Sequence, residues 1–183
     1  MGDWFQSIVD LEATEDEAEI LARDIIDWLV SEKIIDEESC DCVLGENSYG
    51  YPPGINWPAI VKEYFSSFLE LLTNGLNISI GRKVFHSGQG PVSIACPNCN
   101  MEGARDRDWG DAISEWYTRS GEGIVTCTSC GRATSITKWD FQPVWGFAEL
   151  GFEFWNWPPL KQSFIDELSH RLGHNILFID GKL

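Results

Sequence analysis

Two Cys-x-x-Cys pairs, Cys96-Pro-Asn-Cys99 and Cys127-Thr-Ser-Cys130, stand 27 residues apart in the chain. Two residues between cysteines let both thiolates of a knuckle reach one ion, while backbone amides of the turn bond the sulfurs. Two such knuckles complete a tetrahedral four-thiolate zinc site with no open coordination position. The gap is longer than the usual linker of about 15 to 20 residues, so it is expected to carry structure of its own. Two other readings exist: redox disulfides in a thioredoxin-like unit, and unligated thiols. No βαβ pattern surrounds the pairs, and each supplies the ligands the other lacks. The spacing therefore predicts one structural zinc per chain, held by Cys96, Cys99, Cys127 and Cys130 in a zinc ribbon.

The rest of the chain supplies a core of ordinary size. Of 183 residues, 43% are hydrophobic, with nine tryptophans and ten phenylalanines. No apolar run approaches the ~20 residues of a membrane span. The N-terminus, Met-Gly-Asp-Trp-Phe, has neither the positive region nor the apolar stretch of a signal peptide. Thiolate metal ligands favour a reducing compartment, so the expected address is the cytoplasm. Net charge is −16 and unevenly placed: residues 1–81 carry 17 acidic and 3 basic side chains, residues 82–138 carry 6 and 7. Such a chain repels a phosphate backbone, which argues against general nucleic-acid binding, and it attracts a basic partner. Acidity also serves solubility alone.

Periodicity places the elements. Residues 4–11 read as a strand. A helix follows, opened by Thr14 with Glu17 three residues on, a capping box with an acidic first turn. Ala18, Leu21, Ala22, Ile25, Trp28 and Leu29 form its buried stripe, with carboxylates on the solvated face. Residues 36–56 hold turn chemistry and two further thiols, Cys40 and Cys42, read as free or as auxiliary ligands. This long loop, with Tyr49 and Tyr51, is the first candidate contact surface. A second helix is expected from Pro58, with Val61, Tyr64, Phe65, Phe68, Leu69 and Leu72 as its stripe and Asn74-Gly75 as its stop.

Leu76, Ile78 and Ile80 then alternate as a strand, with a bulge at Gly81. Ribbon strands are expected at 92–95, 124–126 and 134–139, and a short helix at 111–118. Arg105, Arg107 and Arg119 are interleaved with acids, which favours a salt-bridged surface over a grip on single-stranded nucleic acid. The aromatic segment 141–157 reads as strand, packing the core or forming a partner-binding patch. Pro158-Pro159 opens a third helix with Phe164, Ile165, Leu168 and Leu172 inward and Gly173 as its stop. Residues 175–180 end as a strand buried on both faces. The expected fold is α+β: a mixed sheet with about three helices. Residues 1–91 and 140–183 form one core, and 92–139 an inserted zinc-ribbon module.

The usual catalytic constellations are missing. There is no phosphate loop, no Gly-x-Ser-x-Gly elbow and no His-Glu-x-x-His. Several stretches resemble a bacterial family of small, acidic, single-domain proteins of uncharacterised function. They are Ile8-Val-Asp-Leu11, Asp41-Cys-Val-Leu-Gly45 with Gly50-Tyr-Pro-Pro-Gly54, the two knuckles, Gly151-Phe-Glu-Phe-Trp-Asn-Trp-Pro158, Gly173-His174 and Gly181-Lys-Leu183. Members are sometimes labelled sugar transporter ATPases, a label contradicted here by the lack of a nucleotide-binding motif. The resemblance implies an architecture and no activity. In type, the chain is also similar to toxin-neutralising immunity proteins, which are small, acidic, cytoplasmic and α+β. The expectation is thus a non-catalytic binding protein, an immunity protein that occludes a basic toxin domain, with Glu15, Asp16, Glu19, Tyr49 and Tyr51 at the contact. The alternatives are a zinc-ribbon accessory of transcription, translation or DNA handling acting through protein contacts, and an enzyme built on scattered carboxylates with His86, His170 or His174.

Overall fold

In the computed structural model the described residues are 2–45, 49–88, 90–102 and 106–183, the side chains of 106–108 excepted. Four strands form the main sheet: β1 (Trp4–Asp10), β2 (Leu76–Phe85), β7 (Gly146–Trp155) and β8 (Ile176–Lys182), in the order β2-β7-β1-β8. Their ladders are antiparallel, and the parallel component of the expected mixed sheet is confined to a bridge between Gly88 and Lys182. Helices α1 (Glu15–Ser31) and α3 (Gln162–Leu172) cover one face. With α2 (Asp106–Tyr117) in the ribbon, they make the expected α+β class with three helices.

The helix face holds the main core. Ile8, Leu76, Leu150, Phe152 and Phe154 of the sheet meet Ala18, Ala22, Ile25 and Leu29 of α1 and Phe164, Ile165, Leu168 and Leu172 of α3. α1 starts as its sequence dictates, with the Thr14 hydroxyl and backbone N–H both donating to Glu17 Oε2, at 2.6 and 3.2 Å. α3 ends at Gly173, whose φ of 72° is a left-handed stop. On the opposite face, Phe5 and Trp155 pack against Cys42 and Val43 of the long loop. There Phe85 also folds its ring over Gly151, where any Cβ would collide with it. β8 lies at the sheet edge, yet both its faces are packed: Ile176 and Phe178 against the main core, Leu177 and Ile179 against Val9, Phe85 and Ala148.

The second helix is absent. Between Pro58 and Leu72 there are only two 3₁₀ turns, Trp57–Ala59 and Ser66–Glu70. Val61 instead bridges Leu160 in extended form, and Lys62 N–H donates to Pro159 O at 2.7 Å. This pairing with a segment some hundred residues away straightens the chain where a helix would pass. Pro158-Pro159 accordingly sits in an extended run, and α3 starts only at Gln162. Val61 and Phe68 still reach the core.

The insertion has its own small core around Ile94, Val125, Ile136, Trp139 and Phe141. It contains β3 (Ser93–Ala95), β4 (Ile124–Thr126), β5 (Ala133–Ser135), β6 (Asp140–Gln142) and α2. β3 pairs with β6 and β4 with β5. The boundary drawn at residue 139 therefore falls inside this unit, because β6 completes its first ladder. The seven aromatic residues of 141–157 divide between the units. Phe141, Trp145 and Phe147 pack the ribbon, Phe152, Phe154 and Trp157 the main core, and Trp155 the opposite sheet face. Among the described residues no helix is long and apolar enough to cross a membrane.

Candidate metal centre and the surfaces around it

Each knuckle is a tight turn closed by its own backbone. Asn100 N–H donates to Cys96 O at 2.8 Å, and Gly131 N–H to Cys127 O at 2.9 Å. The left-handed residues Asn100 (φ 57°) and Gly131 (φ 70°) turn the chain back at the same place in both. The β3–β6 and β4–β5 ladders deliver the two knuckles side by side, so that the four ligand atoms of Cys96, Cys99, Cys127 and Cys130 lie within 4.8 Å of one another. Cys96 and Cys130 sulfurs are 3.8 Å apart, and those of Cys99 and Cys127 are 3.7 Å apart. A disulfide needs about 2.05 Å. A tetrahedral ion with bonds of about 2.3 Å needs sulfur–sulfur edges close to 3.8 Å. The geometry fits a shared metal ion.

The surroundings favour thiolates. The backbone N–H groups of Asn98 and Ser129 point at Cys96 and Cys127 at 3.4 Å each, and Cys130 N–H reaches Cys127 at 3.5 Å. Burial opposes ionisation of Cys96, but the amides of Asn98 and Cys99 outweigh it and bring its pKa down to about 6. The amide of Cys130 lowers that of Cys127. Cys99 is held up at about 12: the Met101 amide favours its thiolate, but burial and the three neighbouring sulfurs prevail. Cys99 thus keeps a proton that a metal ion would displace.

Cys40 and Cys42 take no part in this cluster. Cys42 Sγ is buried against the Gly50 and Cys40 carbonyls, at 3.4 and 3.5 Å, and burial pushes its thiol up to about 12. It is a protonated core residue.

A polar junction ties the ribbon to the sheet. Arg82 Nη1 donates to Trp116 O at 2.6 Å, its Nε to Glu149 Oε1 at 3.1 Å, and its guanidinium lies 5.2 Å from the Trp116 ring centre. Arg119, just past α2, bonds Glu149 Oε2 at 2.8 Å and Glu15 Oε2 at 2.7 Å. Arg119 is therefore a structural tie, as the interleaved acids predict. Arg105 and the side chain of Arg107 lie outside the described residues.

The candidate contact residues fare differently. Glu15 is engaged with Arg119, while Asp16 is exposed and Glu19 only faces Arg23 at 3.8 Å. Tyr49 is 70% exposed. Tyr51 is half-buried against the main core, with its backbone paired to Leu76. Sequence reasoning missed a run of exposed apolar side chains. Tyr64 (74% exposed), Phe65 (62%) and Leu72 (91%), with Leu69 and Leu71, project outward from the stretch expected to be a buried helix. Below them lies a hollow of about 650 Å³ lined by Trp4, Phe65, Phe68, Leu71 and Asn156. No local signal marks it, because the helical spacing imitates a core stripe.

The three histidines sit in different surroundings. His86 packs against Trp145, His170 lines a shallow groove with Asp24 and Arg171, and His174 Nδ1 meets both Asp10 oxygens at 3.0 and 3.1 Å. Asp10 is fully buried and also accepts from Glu12 and Ala13 N–H, fixing the turn into α1. Its hydrogen bond raises the His174 pKa, against burial and with help from Asp10, Glu12 and Glu17 charge. Compared with known proteins, the chain matches no family model, no curated protein and no solved structure.

Proposed function

We propose that the chain is a non-catalytic protein-binding module, and that its partner is a basic domain, in the concrete form of a toxin occluded by a cytoplasmic immunity protein. The observation that carries this reading is the exposed apolar stretch from Tyr64 to Leu72, set within the half of the chain that has 17 acidic and 3 basic side chains. Large apolar side chains in such a cluster mark a surface that is covered in use. The acidic surround supplies long-range attraction, and the aromatic and aliphatic side chains supply the buried contact. Zinc is the proposed ion of the four-thiol cluster. Four sulfur ligands would leave it no position for an activated water, so its role is to hold the two knuckles of the ribbon together.

The test is binding to the product of the neighbouring gene, measured by surface plasmon resonance with co-expression for cell survival. Asp16→Lys with Glu19→Lys should slow association by about tenfold and leave dissociation nearly unchanged. Phe65→Asp with Leu72→Asp should speed dissociation by about a hundredfold and abolish protection. Failure of the unaltered chain to bind or protect ends the immunity reading. Failure of both variant pairs to alter an observed complex moves the interface elsewhere.

A further inference from the structure

The outermost strand of the main sheet keeps an open edge. β2 pairs with β7 on one side only. Its orientation is fixed at Leu76, which exchanges two hydrogen bonds with Tyr51 across the outer side, at 2.8 and 2.9 Å. One residue earlier, Gly75 O accepts from Trp155 N–H at 3.0 Å, on the β7 side. Backbone direction alternates along an antiparallel strand. Ile78 and Ile80 therefore share the orientation of Leu76, with N–H and C=O turned away from β7. Among the described residues nothing pairs with them on that side.

Natural sheets blunt such edges with charges, proline, bulges or a covering segment. Here the bulge between Ile80 and Lys83 ends the edge. Over Ile78–Ile80 it instead opens into a hollow of about 440 Å³ walled by Leu44, Tyr49 and Tyr117. The two cations at its end are engaged elsewhere, Arg82 with Glu149 and Lys83 with Glu153. The hollow thus presents backbone donors and acceptors between aromatic walls, with neither cation left to select an acidic ligand.

We propose that this hollow captures an extended, uncharged segment of a partner protein. The segment adds to β2 as a further strand, antiparallel and in line with the rung that Tyr51 already makes. The outward N–H and C=O groups of Ile78 and Ile80 would bond its backbone, as in strand addition at other sheet edges, and the tyrosines would flank its side chains. This site is independent of the Tyr64–Leu72 surface and of the acidic field around it.

Hydrogen-exchange NMR on the full chain tests it, with a capped peptide of alternating valine and threonine as probe. In the free protein the amides of Ile78 and Ile80 should exchange much faster than those of Asn77 and Ser79, which face β7. Saturating peptide should slow both outward amides by about tenfold or more. The same peptide N-methylated on alternate amides should slow neither. Ile80→Pro removes an outward N–H without touching the β7 ladder, a place where edge strands accept proline, and should abolish the effect. Tyr117→Ala, at an exposed ring, gives a second variant with an intact backbone and should weaken peptide binding by about fivefold or more. Protection of Ile78 and Ile80 in the free chain, no slowing at about 1 mM peptide, or equal binding of the N-methylated peptide would overturn the proposal.

Discussion

The main sheet with its two helices and the inserted ribbon solve the same problem with different means. Among the described residues the main core gathers twenty-two buried side chains, and the ribbon core eight, two of them cysteines of the four-thiol cluster. A core of the first size stands by burial of apolar surface. One of the second size falls in the range where small modules depend on a metal or disulfides. The difference teaches that one chain can hold two kinds of stability, joined at a junction of four charged side chains, Glu15, Arg82, Arg119 and Glu149.

The strongest way to break the comparison is to take the metal away. Cys127→Ser, or a chelator, should unfold the ribbon while the main sheet persists. The lost binding energy is on the order of 10 kcal/mol at neutral pH. Hydrogen exchange should show Val125 and Ile136 amides unprotected and those of Ile8 and Phe152 still slow. Simultaneous loss of both sets would mean a single cooperative unit. The reverse experiment is Trp157→Ala, in the main core, which removes a fully buried ring and its 2.7 Å bond to Asn74 O. It should cost about 3–5 kcal/mol in chemical denaturation and leave metal content at one ion per chain.

Cutting the junction is a smaller blow. Arg82→Ala should cost about 2 kcal/mol, because Trp116 O and Glu149 each lose a charged donor. It should also make the main sheet less sensitive to chelation, read as a smaller shift in its melting temperature on metal removal. Smallest is the His174–Asp10 pair, which belongs to the main core alone. The folded His174 pKa is raised above 6.5, so its contribution is full below that value and fades as pH climbs through the folded pKa. The stability gap between the parent chain and His174→Gln should therefore be widest near pH 5.5, at about 1 kcal/mol, and narrow above pH 6.5. A gap that widens with rising pH would refute the assignment.

Legibility in the sequence followed the range of the interactions. The knuckles, the Thr14–Glu17 cap and the Gly173 stop are decided within a few residues, and the chain folds there as it reads. The stretch from Val61 to Leu72 is decided by Pro159 and Leu160, far along the chain, and its helical spacing misled for that reason. Tyr51 looked like a contact residue because turn-rich loops expose their side chains, yet its pairing with Leu76 draws it inward. The junction was legible only in part. Mixed charge around Arg119 announced ion pairing, while nothing local joined it to Glu15 or Arg82 to Trp116.

The adjacency of β2 and β7 has a consequence for chain entropy. They are antiparallel neighbours, so everything from residue 86 to residue 145 acts as the loop of one hairpin. Closing a flexible loop costs free energy that grows with the logarithm of its length, about 0.6 kcal/mol for each doubling. A ribbon on the order of 60 residues that is already folded around its ion behaves as a much shorter tether, which lowers that cost by roughly 1–2 kcal/mol. A bound ion would thereby help β2 and β7 find each other without touching either of them. The same arithmetic allows the whole insertion to be exchanged for a short turn, leaving a four-stranded sheet whose closure no longer depends on metal.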